Sequence, residues 1–201
     1  MKTSLLCLLL VGLAPLAESR APRPAEFKGT DATFAALTDA LGKPKSQFPE
    51  FLRSGESLPM GKLMRSRTGN WWAVIAETGV FELYQLGHDG AFYGPLAPMP
   101  SGPWLNTPVM NKVFKLSQCH LDMRANGNLV MAYEHAMGAR TQKSEFLVKA
   151  GPKAGCWLML TDNNPPRVEL VDPESPGMKR YFQAYPDSRP QGPLATPAKS
   201  K

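Results

Sequence analysis

The side chains best equipped for chemistry are few and scattered. His88, His120 and His135 fall at no spacing that suggests a shared ligand or a proton relay. Cys7, Cys119 and Cys156 form no C-x-x-C pair, and no H-x-x-x-H accompanies them, so no metal site is expected. No nucleophile stands beside a base, and no two carboxylates are placed for acid–base work. The Ser- and Asp-rich pieces sit in turns, where turn chemistry accounts for them. These absences argue against an enzyme and imply no cofactor. What remains is a run of polar groups alternating with small or apolar ones, Arg124-Ala-Asn126-Gly-Asn128-Leu-Val130.

The element that must position this run is a β-hairpin over Cys119–Tyr133. Leu121 and Met123 alternate with polar neighbours, and Asn-Gly between alternating apolar runs is a strong hairpin signal. The pattern recurs at Trp71–Tyr84 without a gap, and at Cys156–Val171 if two residues are added to the turn. In this register Trp71, Cys119 and Cys156 are equivalent. So are Phe81, Leu129 and Val168, and then Leu83, Met131 and Leu170. Three copies of one hairpin predict a repeat architecture.

Around the hairpins the 201 residues suggest one domain with extensions. Twenty prolines and seventeen glycines, gathered outside the hairpins, favour an all-β core with long loops. Lys2, the apolar run Leu5–Leu16 and Ala17-Glu-Ser19 read as a signal peptide over residues 1–19. The run is too short to span a bilayer, so no transmembrane segment and a secreted, extracellular protein are expected. Residues 20–49 are expected to form an N-terminal arm, loose and basic over Arg20–Lys28. It carries one short helix, capped by Thr30 and closed by Gly42, that docks Phe34, Leu37 and Leu41 on the β core. Residues 85–103 read as a long Gly/Pro-rich loop, and Trp104–Leu116 as strand-like sequence. The core is expected to end near Asp172. The basic tail, 173–201, holds six prolines and reads as mostly disordered, unless Tyr181, Phe182 and Tyr185 tack its first part onto the core. That tail carries half of the +6 net charge, so the charge forms no compact nucleic-acid patch. With the leader removed, Cys119 and Cys156 pair most simply as a disulfide in an oxidising compartment; two buried thiols are the other reading.

Residues 50–172 resemble the bulb-type, or monocot mannose-binding, lectins. The resemblance rests on Ser54-Gly-Glu-Ser-Leu-Pro-Met-Gly-Lys-Leu-Met-Arg-Ser66, Gly79-Val-Phe-Glu-Leu-Tyr84, Trp104-Leu-Asn-Thr107 and above all Asn126-Gly-Asn-Leu-Val-Met131. It implies a β-prism II fold, three four-stranded sheets about a pseudo-threefold axis, with one sugar site per sheet. The family motif Gln-x-Asp-x-Asn-x-Val-x-Tyr places its residues two apart, on one face of a strand. Amides and a carboxylate there bond sugar hydroxyls, and Val touches the ring. Carried over, the motif implies a site at Arg124, Asn126, Asn128 and Val130. Ala132 stands at the Tyr position, and Tyr133 replaces it if the strand bulges. In the first repeat the five positions read Ala76, Thr78, Val80, Glu82 and Tyr84, and the site is lost. In the third, Asp162 and Asn164 mark a site that is either dead or altered. Glu82 and Glu169, at equivalent places, are expected to point outward and make their faces acidic. The function implied is recognition of mannose-type or related glycans or glycoproteins. The alternative is a lectin-like scaffold that contacts a protein, a cell wall or a membrane surface.

Overall fold

A computed structural model describes residues 23–96, 114–135, 143–148, 154–175, 177 and 180–184. The leader, the segment 97–113 with its Trp104 element, and everything beyond Ala184 lie outside the described residues. Within them the chain is mostly β, with one α-helix, α1 (Asp31–Leu41), and a 3-10 turn at Lys45–Gln47. The strands are β1 (Phe51–Leu52), β2 (Ser57–Pro59), β3 (Leu63–Arg65), β4 (Trp71–Ile75), β5 (Phe81–Leu86) and β6 (Phe92–Tyr93). They continue as β7 (Phe114–Met123), β8 (Leu129–His135), β9 (Lys143–Val148), β10 (Trp157–Leu160), β11 (Val168–Val171) and β12 (Arg180–Ala184). Three antiparallel sheets result, in the orders β3-β4-β5-β6, β2-β7-β8-β9 and β1-β10-β11-β12. Each is built on one of the repeated hairpins, β4/β5, β7/β8 or β10/β11. A short strand from residues 51–65 lines one side of each.

The turns show why the hairpins recur. Arg124 N–H bonds Asn128 O (2.9 Å) and Gly127 N–H bonds Arg124 O (2.8 Å), with Gly127 in the left-handed region at φ 83°. The first hairpin repeats this: Ala76 N–H to Val80 O (2.9 Å), Gly79 N–H to Ala76 O (2.8 Å), Gly79 at φ 79°. Glycine adopts that conformation without steric penalty. The third turn is wider and closes from Thr161 N–H to Arg167 O (2.9 Å).

All nine residues placed in equivalence by the repeat register lie in one central core. The cross-strand rows are Met64–Ala73–Leu83, Leu58–Leu121–Met131 and Leu52–Leu158–Leu170. A second row pairs Ile75 with Phe81, Met123 with Leu129 and Leu160 with Val168. Alternation on a pleated strand sends each of these to the same side of its sheet. The expected disulfide is not formed. Cys119 and Cys156 remain thiols, fully buried in this core with Trp71. Cys119 Sγ lies 3.6 Å from Met131 Sδ, and burial pushes its pKa up to about 11. The two cysteines occupy the places where the first repeat has a tryptophan, so they serve as small apolar fillers beside a large one.

The helix docks on the outer face of the first sheet. Thr30 caps it, its Oγ1 accepting from Thr33 N–H at 3.1 Å. The inward stripe is Thr33, Leu37 and Ala40; Leu41, expected in it, is 42% exposed. At 100° per residue, Leu41 is about 40° from Leu37 but about 100° from Ala40, at the edge of the stripe that Thr33, Leu37 and Ala40 set. Leu37, Ala40, Trp72, Val74, Tyr84 and Phe92 form a second core, with Phe34 and Phe48 packed against it. From Arg23 on, the arm before the helix is not loose. Phe27 is buried in that second core and stacks on Tyr84 (centroids 5.1 Å), and Lys28 N–H bonds Gly94 O at 2.7 Å. Two other expectations change. The 85–103 segment begins as structure, since Gln85 pairs with Tyr93 and Leu86 with Phe92. The sheet of the third hairpin also continues past Asp172, because β12 pairs with β11. Tyr181 and Phe182 supply the β-forming residues there.

Candidate functional site

The polar run of the second hairpin opens onto a groove of about 480 Å³. Gly55, Glu56 and Ser57 line one wall; Asp122, Arg124 and Asn126 are on the other. The groove exists because β2 pairs with β7 in the register Ser57↔Asp122, which sets both side chains on the outer face. Ser57 Oγ donates to Asp122 Oδ1 at 2.6 Å, and His120 Nε2 stands 3.3 Å from the same oxygen. Glu56 Oε2 accepts Arg53 N–H at 2.7 Å, which ties the opposite wall. Asn126 Oδ1 accepts Asn128 N–H at 3.1 Å, so its amide nitrogen is the group left to face a ligand. The result is a shallow cleft with carboxylates, an amide and a guanidinium. It can make directional hydrogen bonds to a polyol. Among the described residues no group of three or more His, Cys, Asp or Glu side chains could hold a metal ion.

The five residues expected to form the second-repeat site are not all brought together in this groove. Arg124 and Asn126 line the groove, and Asn128 is half-buried at its turn. Val130 follows on the same face but is 0% exposed, and Ala132 is 4% exposed. Val130 is therefore sealed from a sugar ring. Tyr133 does not replace Ala132. The residues from Val130 to Tyr133 pair continuously with Phe146 to Lys143, and the extra residues at the irregular places lie on β7 and β9. With no extra residue in β8, Tyr133 keeps the register of Leu129 and Met131.

The other two faces are committed to the fold. Glu82 and Tyr84 share the outer face of the first sheet, but both are buried, and Tyr84 Oη donates to Glu82. Burial raises the Glu82 pKa, an effect the Tyr84 hydrogen bond opposes; burial and the adjacent Glu82 raise that of Tyr84. Glu169 is 1% exposed, so neither carboxylate makes an open acidic face as expected. Both take the outward register, and tertiary packing covers them. In the third repeat Asp162 accepts from Thr68 N–H (3.2 Å) and from the Thr68 hydroxyl. It joins its turn to the β3–β4 turn of the first sheet. Asn164 is exposed in the same widened turn.

Sequence reasoning missed Glu56, Ser57 and Asp122. Ser57 and Asp122 are 65 residues apart, and only the β2–β7 pairing brings them together. The signal available was the alternation in His120-Leu-Asp-Met123, which puts Asp122 opposite Leu121 in facing.

Fold and site together define a mostly β protein, with three sheets and a polar surface cleft among the described residues. No family model matches the chain, and no curated protein does. Among solved structures the chain is similar to one titled Japanese Marasmius oreades lectin, at 14% identity and a TM-score of 0.43. The match covers 68% of this chain and 90% of that one. A likeness this remote carries no functional argument.

Proposed function

We propose that this chain is a secreted, non-enzymatic carbohydrate-binding protein, a β-prism lectin of the bulb type that takes mannose-type or related glycans in the groove beside the second hairpin. The observation that carries this reading is the groove itself. Asp122, held by Ser57 and flanked by Glu56, Arg124 and Asn126, faces an open cleft of about 480 Å³. Asp122 and Glu56 accept from sugar hydroxyls, while Arg124 and the Asn126 amide donate. The cleft is shallow, so one site binds weakly and multivalent presentation supplies avidity. Three hairpins with equivalent residues in one core support the prism assignment.

The test is a glycan array probed with multivalent protein, wild type beside Asp122→Ala and Arg124→Ala. Mannose-type binding by the wild type, weakened about tenfold in each variant, is expected from losing a charged hydrogen-bond partner. A folded wild type that binds no glycan sinks the reading. One observation favours a second reading, a lectin-like scaffold that contacts a protein, a cell wall or a membrane surface. Val130 and Ala132 are sealed, and the first sheet's outer face is occupied by the chain's own helix. Mannose-insensitive capture of an extracellular partner would support that scaffold.

A further inference from the structure

The repeat makes an internal comparison that isolates one surface strip. Since Trp71 and Cys156 are equivalent and both lie in the core, the next residues, Trp72 and Trp157, are equivalent on the outer faces of their sheets. Their cross-strand neighbours correspond too. Arg65 pairs with Trp72, and Arg53, the residue after Leu52, stands opposite Trp157, the residue before Leu52's antiparallel partner Leu158. Each tryptophan also has a phenylalanine ring 5.0 Å away: Phe48 for Trp72, Phe51 for Trp157.

The two copies differ in what covers them. Trp72 is 2% exposed beneath the helix-side core. Arg65 is buried and fully used, bonding Lys45 O, Ser66 O, Arg67 O and Glu50. On the third sheet Phe51, Trp157 and Met159 are each partly exposed, and Arg53 is exposed. The Arg53 guanidinium lies 5.4 Å from the Trp157 centroid. The next strand inward is already covered, with Glu169 and Val171 each 1% exposed. The open strip is therefore only two strands wide. It suits a ligand the size of one ring, not a second helix.

We propose that Phe51, Arg53 and Trp157 form a second binding site, separate from the groove, for a saccharide whose pyranose ring carries a carboxylate. The ring's apolar C–H face packs on Phe51 and the exposed edge of the indole, and Arg53, held over the indole, pairs with the carboxylate, for which its planar fork is shaped. A net charge of +6 on the chain favours the approach of an acidic polymer.

The test is calorimetric titration of the full chain with a short oligogalacturonate and with the same oligomer methyl-esterified, which keeps the rings and removes the charge. The acid is expected to bind about tenfold more tightly than the ester, the scale of one charge-assisted contact. Arg53→Gln, at an exposed position, brings the acid down to the level of the ester. Trp157→Ala weakens both about tenfold, and Trp157→Phe, which keeps a ring, weakens them less. Excess free mannose, the competitor for the groove, leaves the titration unchanged, so failure of one site is distinguishable from failure of the other. The proposal is overturned if the wild type does not bind oligogalacturonate. It is equally overturned if Arg53→Gln and Trp157→Phe bind it as the wild type does, or if mannose displaces it.

Discussion

Replacing Gly29 by alanine tests how the N-terminal arm is locked to the first sheet. Gly29 crosses directly above Tyr84. An added Cβ would fall inside the contact shell of the Tyr84 hydroxyl and 2.9 Å from Phe27 Cε1 and Cζ. The hydroxyl cannot yield freely, because it donates to buried Glu82, and Phe27 cannot, because it stacks on the Tyr84 ring. Accommodating the methyl means breaking a hydrogen bond to a charged group, about 1.5–3 kcal/mol, and loosening an aromatic pair, about 0.5–1.5 kcal/mol. Against this stands a gain of about 0.4–1 kcal/mol from the stiffer unfolded chain. The balance is a loss of about 1–4 kcal/mol, or roughly 2–16 °C in Tm for a chain of this size. Urea and thermal unfolding of wild type, Gly29→Ala, Tyr84→Phe and the double variant form a cycle. If the hydroxyl is the obstacle, Gly29→Ala costs clearly less in the Tyr84→Phe background. An equal cost in both backgrounds, or a stabilised Gly29→Ala, refutes the account.

Three further outcomes are expected. The Glu82 pKa is raised from 4.5 by burial, so its stabilising share is present below pH 4.5 and is lost as pH rises through the raised value. Glu82→Gln, which still accepts from Tyr84, should flatten the alkaline side of that profile; unfolding series at several pH values that superimpose for both proteins would contradict this. Thr30→Ala removes the helix cap and should cost about 1 kcal/mol in urea unfolding, with no cost if the helix end is held by docking alone. Cys119 and Cys156 should resist a thiol reagent in the native protein and both react after unfolding without reductant; a denatured chain showing neither thiol would mean that they had been oxidised to a disulfide.

The hairpins were legible because three properties coincide at each: two-residue alternation, a turn that closes it, and bulky apolar residues at matching offsets. Those local features also predicted which nine side chains meet in the core. The helix was legible from its cap and spacing, though not its rotation, because the sequence carries apolar residues on more than one side, and docking chose Leu37 and Ala40 over Leu41. The candidate site was legible only in part. Arg124 and Asn126 stand where the turn puts them, but Ser57, 65 residues from Asp122 in the chain, and Glu56 before it reach the groove only through the β2–β7 pairing. Alternation told correctly that Glu82, Val130 and Glu169 leave the central core, yet a residue turned away from one core can be buried in another.

The repeat, the hairpin turns and the inward face of every repeated strand could be read locally, since backbone geometry and side-chain period set them within a single hairpin. The fate of the outward faces was set by long-range packing. The first is roofed by Phe27 and the helix, the second keeps a polar groove where β2 meets β7, and the third leaves Trp157 partly open. The physical reason is that exposure of an outward side chain depends on what other segments pack over it, and that is settled by contacts between residues far apart in the chain.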